Sequence, residues 1–305
     1  MDEFRIFKAQ MNKHIGIQPR WSAKTKKEMR KRSEVDPNKF ASLVVDDEPK
    51  YEHNYKSEYR GKVQNCQVET AFLPMYQLSY FPNNQNVNGV QAYDKEVDAL
   101  NQHTKADKVY IVCSKEQLDE NGSMKIFSMI DKLSAELSVA SDNETRKRLL
   151  MRRAIAHSVL RDFEAAISDF TYYISLDDKN SLAYWQRAVC QAEMDEFNKA
   201  EGKGVLNIHS AEADFSDAIR QNSNNAYIYY NRGNLHAGRN ELSKAIDDYT
   251  IALRIDNRLA EAYYNRGIAR AKSGNKQTAI QDLSKAGELG LYDAYSVIKR
   301  LNKSK

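Results

Sequence analysis

The sequence predicts a mainly α fold, a solenoid of four helical hairpins with a C-terminal capping helix, preceded by a small α+β module. Three observations carry that expectation. Tyr229-Tyr230-Asn231-Arg232-Gly233 returns 34 residues later as Tyr263-Tyr264-Asn265-Arg266-Gly267. The residues after each copy stay in phase: Ala245-Ile246 answers Ala279-Ile280, Asp248 answers Asp282, and Ala252 answers Ala286. Upstream, between residue 39 and about residue 120, the helical period gives way to alternation. A fixed period near 34 marks a helical-hairpin repeat, whose units bury one face against the next and are stable only as a stack.

The chain of 305 residues is 41% hydrophobic and 29% charged, ordinary for a protein with a large helical surface. No apolar run approaches the roughly 18–20 residues needed to cross a bilayer. Met1-Asp2-Glu3-Phe4-Arg5 lacks the pattern of a signal peptide. The default expectation is cytoplasmic, or exported if the chain is a fragment that has lost its signal. Cys66, Cys113 and Cys190 are too few and scattered for a disulfide framework or a C-x-x-C site.

Residues 1–38 form a basic arm. Lys24, Lys26, Lys27, Arg30, Lys31 and Arg32 cluster there, and few apolar residues accompany them. Such a segment is expected to be disordered, because it cannot bury enough surface to offset its ordering entropy. A basic run can hold nucleic acid or an anionic membrane, but no recognition fold accompanies it and only Trp21 could stack. Contact with either is therefore disfavoured, and stands as the alternative reading of function.

Residues 39–138 read as the α+β module. Tyr59, Gly61 and Val63 alternate, as do Val68, Thr70 and Phe72, which predicts a hairpin around residues 64–67. Tyr76, Leu78 and Tyr80 resume the alternation after Pro74, and Asn83 to Gly89 reads as loop. Val109-Tyr110-Ile111-Val112-Cys113 is a continuous apolar run, expected as a strand covered on both faces. Ile126, Met129, Ile130, Leu133 and Leu137 have helical spacing. The module is expected to pack on the first repeat and hide the apolar end of the array.

Residues 139–305 hold the repeats. Ser141-Asp142-Asn143-Glu144 is a capping-box pattern that starts the first repeat helix. Units begin at Lys147, Ser181, Ala226 and Ala260. Ala154, Ala188, Gly233 and Gly267 hold the eighth place, where a small side chain lets helices approach. Ala166, Ala211, Ala245 and Ala279 answer them on the second helix, and Phe170, Phe215, Tyr249 and Leu283 fill the gap between hairpins. Leu291, Ala294, Ile298 and Leu301 predict the final capping helix.

These residues resemble the tetratricopeptide repeat family over about residues 147–293. Place thirty-two departs from the pattern, with Asp178, Ser223, Asn257 and Leu291 where Pro is usual; polar N-caps are expected there instead. The second unit also carries about eleven extra residues near Phe197 to Asn207. The middle region, the long repeat and Ala286-Gly287-Glu288-Leu289-Gly290 resemble the C-terminal part of large tetratricopeptide proteins of Bacteroidota, which implies the tail of a longer array.

Arg153, Arg187, Arg232 and Arg266 share place seven, and Asp169, Asp214, Asp248 and Asp282 share place twenty-three. Four of each in phase predict a ladder of Arg–carboxylate pairs between helices; pairing with solvent is the alternative. No H-E-x-x-H, G-x-x-x-x-G-K-[ST] or post-strand G-x-G-x-x-G is present. Gly202-Lys203-Gly204 only faintly resembles a phosphate loop, and His157 and His236 fall at packing positions. No catalysis, metal or cofactor is expected.

The family resemblance implies a concave groove lined by the first helix of each hairpin. Its expected peptide-binding residues are Trp185, Tyr230 and Tyr264 at place five, Asn231 and Asn265 at place six, Asn234 at place nine, Tyr227 and Glu261 at place two, and Lys272 at place thirteen. The aromatics either meet a ligand or pack on one another. The Lys and Asn clamp that some members use for a C-terminal carboxylate is broken, since Trp185 or Tyr230 stands where Lys is required. The chain reads as a non-catalytic scaffold for a protein or peptide partner.

Overall fold

The computed structural model describes residues 71–80, 95–102, 107–113, 118–202 and 208–303, with side chains from 211 in the last span. All belong to one compact unit, Val68–Lys305. The expected basic arm, the hairpin around residues 64–67 and the loop from Asn83 to Gly89 lie outside the described residues.

Two short strands come first in the fold, β1 (Tyr76–Ser79) and β2 (Tyr110–Cys113), with helix α1 (Lys95–Asn101) between them. Then come α2 (Glu120–Val139) and the hairpin pairs: α3 (Asn143–Val159) with α4 (Phe163–Leu176), α5 (Ser181–Ala200) with α6 (Ile208–Gln221), α7 (Ala226–Gly238) with α8 (Leu242–Ile255), and α9 (Ala260–Lys272) with α10 (Lys276–Glu288). Helix α11 (Asp293–Lys303) closes the array. From α2 onward each helix packs on its sequence neighbours, as a solenoid requires.

The small residues do what their spacing implied. Ala154, Ala188, Ala166, Ala211, Ala245 and Ala279 are fully buried at the hairpin contacts. In the third and fourth hairpins even a methyl group does not fit at place eight. A Cβ at Gly233 would stand 2.7 Å from the Tyr249 ring, and one at Gly267 would stand 2.9 Å from the Leu283 side chain. Phe170, Phe215, Tyr249 and Leu283 are fully buried against these positions.

Turns inside the hairpins use one device. Arg161, Asn240 and Gly274 have φ of 62°, 61° and 86°. The next residue in each turn then reaches back across the helix end: Asp162 N–H donates to the His157 carbonyl, Glu241 N–H to His236, and Asn275 N–H to Arg270. This pairing satisfies carbonyls that a helix terminus leaves open.

Turns between hairpins correct the expected caps. The residues at place thirty-two do not cap. Asp177, Asn222 and Asp256, one place earlier, accept the N–H of Lys179, Asn224 and Arg258. Asn180 and Asn225 then cap α5 and α7 by accepting from Ala183 and Tyr227, while Leu259 precedes α9 with no side-chain cap. An Asx turn followed by a cap needs three residues of space, which shifts the cap beyond place thirty-two. The first repeat helix is likewise capped by Asp142, which accepts from Thr145 N–H.

The lengthened repeat is a lengthened helix. α5 has 20 residues where α7 and α9 have 13, so much of the insertion adds turns to the first helix of its hairpin.

The module before the repeats divides its work in a way the sequence reading did not foresee. α2 packs on α3 through Ile126 and Leu133 and covers that end of the array. The strands do not. β1 and β2 pair antiparallel, Tyr76 opposite Cys113 and Ser79 opposite Tyr110, and β1 contacts α3, α5 and α7 along the inner face. β2 is covered unevenly and not throughout: Val112 is buried, Ile111 and Cys113 are half-buried, and Tyr110 at its start is 38% exposed.

Candidate functional site: an occupied concave groove

The first helices of the four hairpins line the concave face, and residues 72–80 lie along it in extended form. The segment crosses from α9 to α3. Leu73 N–H donates to Asn265 Oδ1 at 2.8 Å. Tyr76 N–H donates to Asn231 Oδ1 at 2.8 Å, and Asn231 Nδ2 returns a bond to the Tyr76 carbonyl at 2.7 Å. Leu78 N–H donates to Gln186 Oε1 at 3.0 Å. Tyr80 donates its hydroxyl to the Arg152 carbonyl at 2.7 Å, with the Arg152 guanidinium over its ring. Asn265, Asn231, Gln186 and Arg152 all stand at place six of their hairpins.

The match is one of pitch. An extended chain rises about 3.3 Å per residue, and packed helices stand about 8–10 Å apart. Steps of two or three residues, from 73 to 76 to 78 to 80, therefore carry the segment from one hairpin to the next. A side-chain amide carries a donor group and an acceptor group side by side, so Asn231 pairs with Tyr76 as a neighbouring strand would. Along its other edge β1 pairs with β2 through Gln77 and Ser79.

Seven of the nine expected groove residues gather around this segment. Besides Asn231 and Asn265, Asn234 Nδ2 donates to the Leu73 carbonyl at 2.9 Å, and the Tyr230 hydroxyl donates to the Pro74 carbonyl at 3.0 Å. The Tyr76 ring sits 4.7 Å from that of Tyr227 and 5.1 Å from that of Tyr230, centroid to centroid. Glu261 hydrogen-bonds the Tyr76 hydroxyl, and Lys272 Nζ stands 4.6 Å from the Phe72 ring centroid.

The other two belong to the packing. Trp185 is fully buried with its ring stacked on Tyr227. Tyr264 joins the cluster of Ile268, Leu283, Ala294 and Val297 that seats α11. The aromatic row is thus no open wall: Trp185 and Tyr230 are fully buried and Tyr264 nearly so. Sequence reasoning passed over Gln186 and Arg152, which the place-six frame could have found. It had no means of finding the occupant.

Behind the groove, each place-seven arginine holds its aspartate with two bonds. Arg232 Nε and Nη2 reach Asp248 at 2.9 and 2.7 Å, and the pairs Arg153–Asp169, Arg187–Asp214 and Arg266–Asp282 repeat that geometry. Three of the arginines donate Nη1 to a hydroxyl on the preceding helix: Arg153 to Ser134, Arg187 to Thr171, Arg266 to Thr250. Each of these three therefore ties its own hairpin shut and binds it to the helix before.

Burial pushes the Tyr76 and Tyr230 hydroxyls well above their usual range. Burial also raises the Glu261 carboxyl, against the lowering effect of its bonds to its own backbone N–H and to Tyr76. A raised carboxyl binds its proton more tightly folded than unfolded, so its favourable contribution is complete below the ordinary value of about 4.3 and is lost as pH rises through the raised one. Glu261→Gln keeps an acceptor for Tyr76 without the charge. The variant is expected to melt above the parent at pH 7, with the difference closing below about pH 4. Equal melting at both pH values would contradict this account.

Residues 237–274, which run from the end of α7 through α9, match the family model described as TPR repeat. Over those residues the chain is similar to a tetratricopeptide repeat. No curated protein matches the sequence. Among solved structures, that of MamA is similar at 21% identity and a TM-score of 0.47, covering 58% of this chain and 98% of its own. YrrB, described as a TPR protein with an unusual peptide-binding site, is similar at 17% identity and a TM-score of 0.44, covering 59% and 89%. TTC0263, a thermophilic TPR protein of Thermus thermophilus, is similar at 15% identity and a TM-score of 0.45, covering 59% and 94%. Among the described residues, no helix is long and apolar enough to cross a membrane.

Proposed function

We propose that the chain is a non-catalytic interaction scaffold whose concave groove binds an extended polypeptide segment. One observation carries the reading: the place-six side chains Gln186, Asn231 and Asn265 bond the backbone of an extended segment at three successive hairpins, with Asn231 engaging both the N–H and the C=O of one residue. Main-chain bonds of that kind give affinity, and the pockets between them select side chains. Tyr227, Tyr230, Asn234, Glu261, Asn265 and Lys272 supply those pockets, with Trp185 and Tyr264 supporting them from beneath.

The test is a display selection of random peptides on the intact chain. Enriched peptides are expected to lose binding when Asn231→Ala and Asn265→Ala are combined, in a variant whose helical circular dichroism is retained. Peptides that bind the double variant equally well would remove the groove as the working surface.

A further inference from the structure

The buried amide of Gln186 shows that residues 72–80 are an imperfect fit to the groove they fill. Gln186 is 1% exposed. Its Oε1 accepts from Leu78, but its Nε2 is buried with no hydrogen-bond partner, and neither has Trp185 Nε1 in the adjoining residue. The equivalent Nδ2 of Asn231 does have an acceptor, the Tyr76 carbonyl. A buried donor left without an acceptor is costly, and natural structures rarely tolerate it without a reason.

Its cause lies in the sheet. β1 is paired on its far edge to β2, Gln77 with Val112 and Ser79 with Tyr110. Leu78 turns its N–H and C=O to the same edge, away from β2, yet Gln186 takes only the N–H, and the pairing with β2 holds the strand at that offset. A peptide not tied to β2 has no such restraint. A cleft of about 590 Å³ also opens beside residues 71–75, between α5 and α7, lined by Phe72, Met75, Glu196, Lys199, Leu235 and Arg239. There a second chain can make contact before the internal segment leaves.

We propose that residues 72–80 are a displaceable internal occupant, and that the groove's ligand is an extended segment of another protein with uncharged bulky side chains at three alternate positions. Tyr76, Leu78 and Tyr80 display that pattern, and all three are buried. The middle hairpins set its chemistry. The Tyr76 site is walled by the Tyr227 and Tyr230 rings, and Glu261 receives its hydroxyl, so an acidic side chain is excluded. At the second hairpin the ligand offers Gln186 Nε2 the carbonyl that the internal strand withholds. The inference rests on the groove reading above and adds what stands in the way of the partner. A ligand that must displace an occupant binds more weakly by the fraction of molecules that are open, so loosening the occupant tightens binding.

The probe is a labelled synthetic peptide with the sequence of residues 71–80, titrated onto the intact chain and onto Leu78→Ala. Fluorescence anisotropy reads binding, and hydrogen exchange reads the amides of Leu73, Tyr76 and Leu78. The peptide is expected to bind the intact chain, to bind Leu78→Ala at least tenfold more tightly, and to release those amides. A peptide with Ser in place of Tyr76 and Leu78 is expected not to bind. Leu78→Val serves in place of Leu78→Ala if circular dichroism shows the latter unfolded.

Equal binding to both chains with the amides still protected would overturn displacement and leave the scaffold reading standing through another surface. No binding to either would overturn displacement, and the display selection then judges the groove by itself. A peptide-free Leu78→Ala chain that dimerises in light scattering would overturn the foreign ligand in favour of strand exchange between copies.

Discussion

Exchanging Asn231 for Asp is expected to destabilise the chain more than exchanging it for Ala. Asn231 is fully buried and satisfies both polar groups of the Tyr76 backbone. Alanine leaves two buried groups unpaired, at about 2–3 kcal/mol in all, towards the low end of the range of about 1–3 kcal/mol for each, because the space it opens lets them relax. Aspartate keeps the acceptor but sets a carboxylate oxygen where Nδ2 stood, 2.7 Å from the Tyr76 carbonyl. Two acceptors then face each other across a buried contact, and the charge has left water, for a total of about 4–5 kcal/mol at neutral pH. In acid the carboxyl takes up a proton and regains a donor, so the deficit of the Asp variant narrows as pH falls. Thermal melts of both variants at pH 7 and pH 4 check the order and its pH dependence. An Asp variant that melts with the parent at pH 7 would mean that the Asn231 clamp contributes nothing.

The second large effect belongs to the arginine ladder. Asp248 is 4% exposed and takes two bonds from Arg232, with His236 Nε2 3.7 Å away. Arg232→Met strands that carboxylate, and a loss of about 2–4 kcal/mol is expected, below the range for a fully buried pair because Arg232 keeps some contact with water. Adding Asp248→Leu removes the stranded charge and is expected to recover most of the loss. Arg266→Met is the internal control. Asp282 also receives Arg270 Nη1 at 2.7 Å, so the fourth hairpin keeps a cation and suffers less. Denaturant unfolding of the three variants checks the series; an Arg266→Met loss as large as that of Arg232→Met would contradict it.

The two halves of the chain were unequally legible. Repetition exposes the hairpins because each packing role recurs at a fixed place: a missing Cβ at Gly233 and Gly267, a small residue at Ala245 and Ala279, a wedge at Tyr249 and Leu283. The Arg and Asp phases were visible for the same reason. The caps lie two residues beyond their expected place because the Asx turn at Asp177, Asn222 and Asp256, and not place thirty-two alone, fixes the geometry of the whole junction. The strands were legible as local alternation, but not their destination. Nothing near Tyr76 encodes Asn231, which lies 155 residues further on. The frame itself held the one available clue. Place six reads Arg, Gln, Asn, Asn through the four units, a column of side chains able to bond a backbone, and such a column requires an extended partner from some source.

The strand across the groove also changes how the array comes apart. In a solenoid held only by neighbour contacts, stability is close to a sum over adjacent units, and the ends can fray while the middle stays folded. Here the tie from Leu73 to Asn265 spans 192 residues, and that from Tyr80 to Arg152 spans 72. One continuous segment thus reports on all four hairpins at once, which favours unfolding in a single concerted step. The same ties raise the contact order, so folding is slower than a purely local stack would allow. On the ribosome the strand emerges long before α9, and its bonds to the fourth hairpin close only when synthesis is nearly finished.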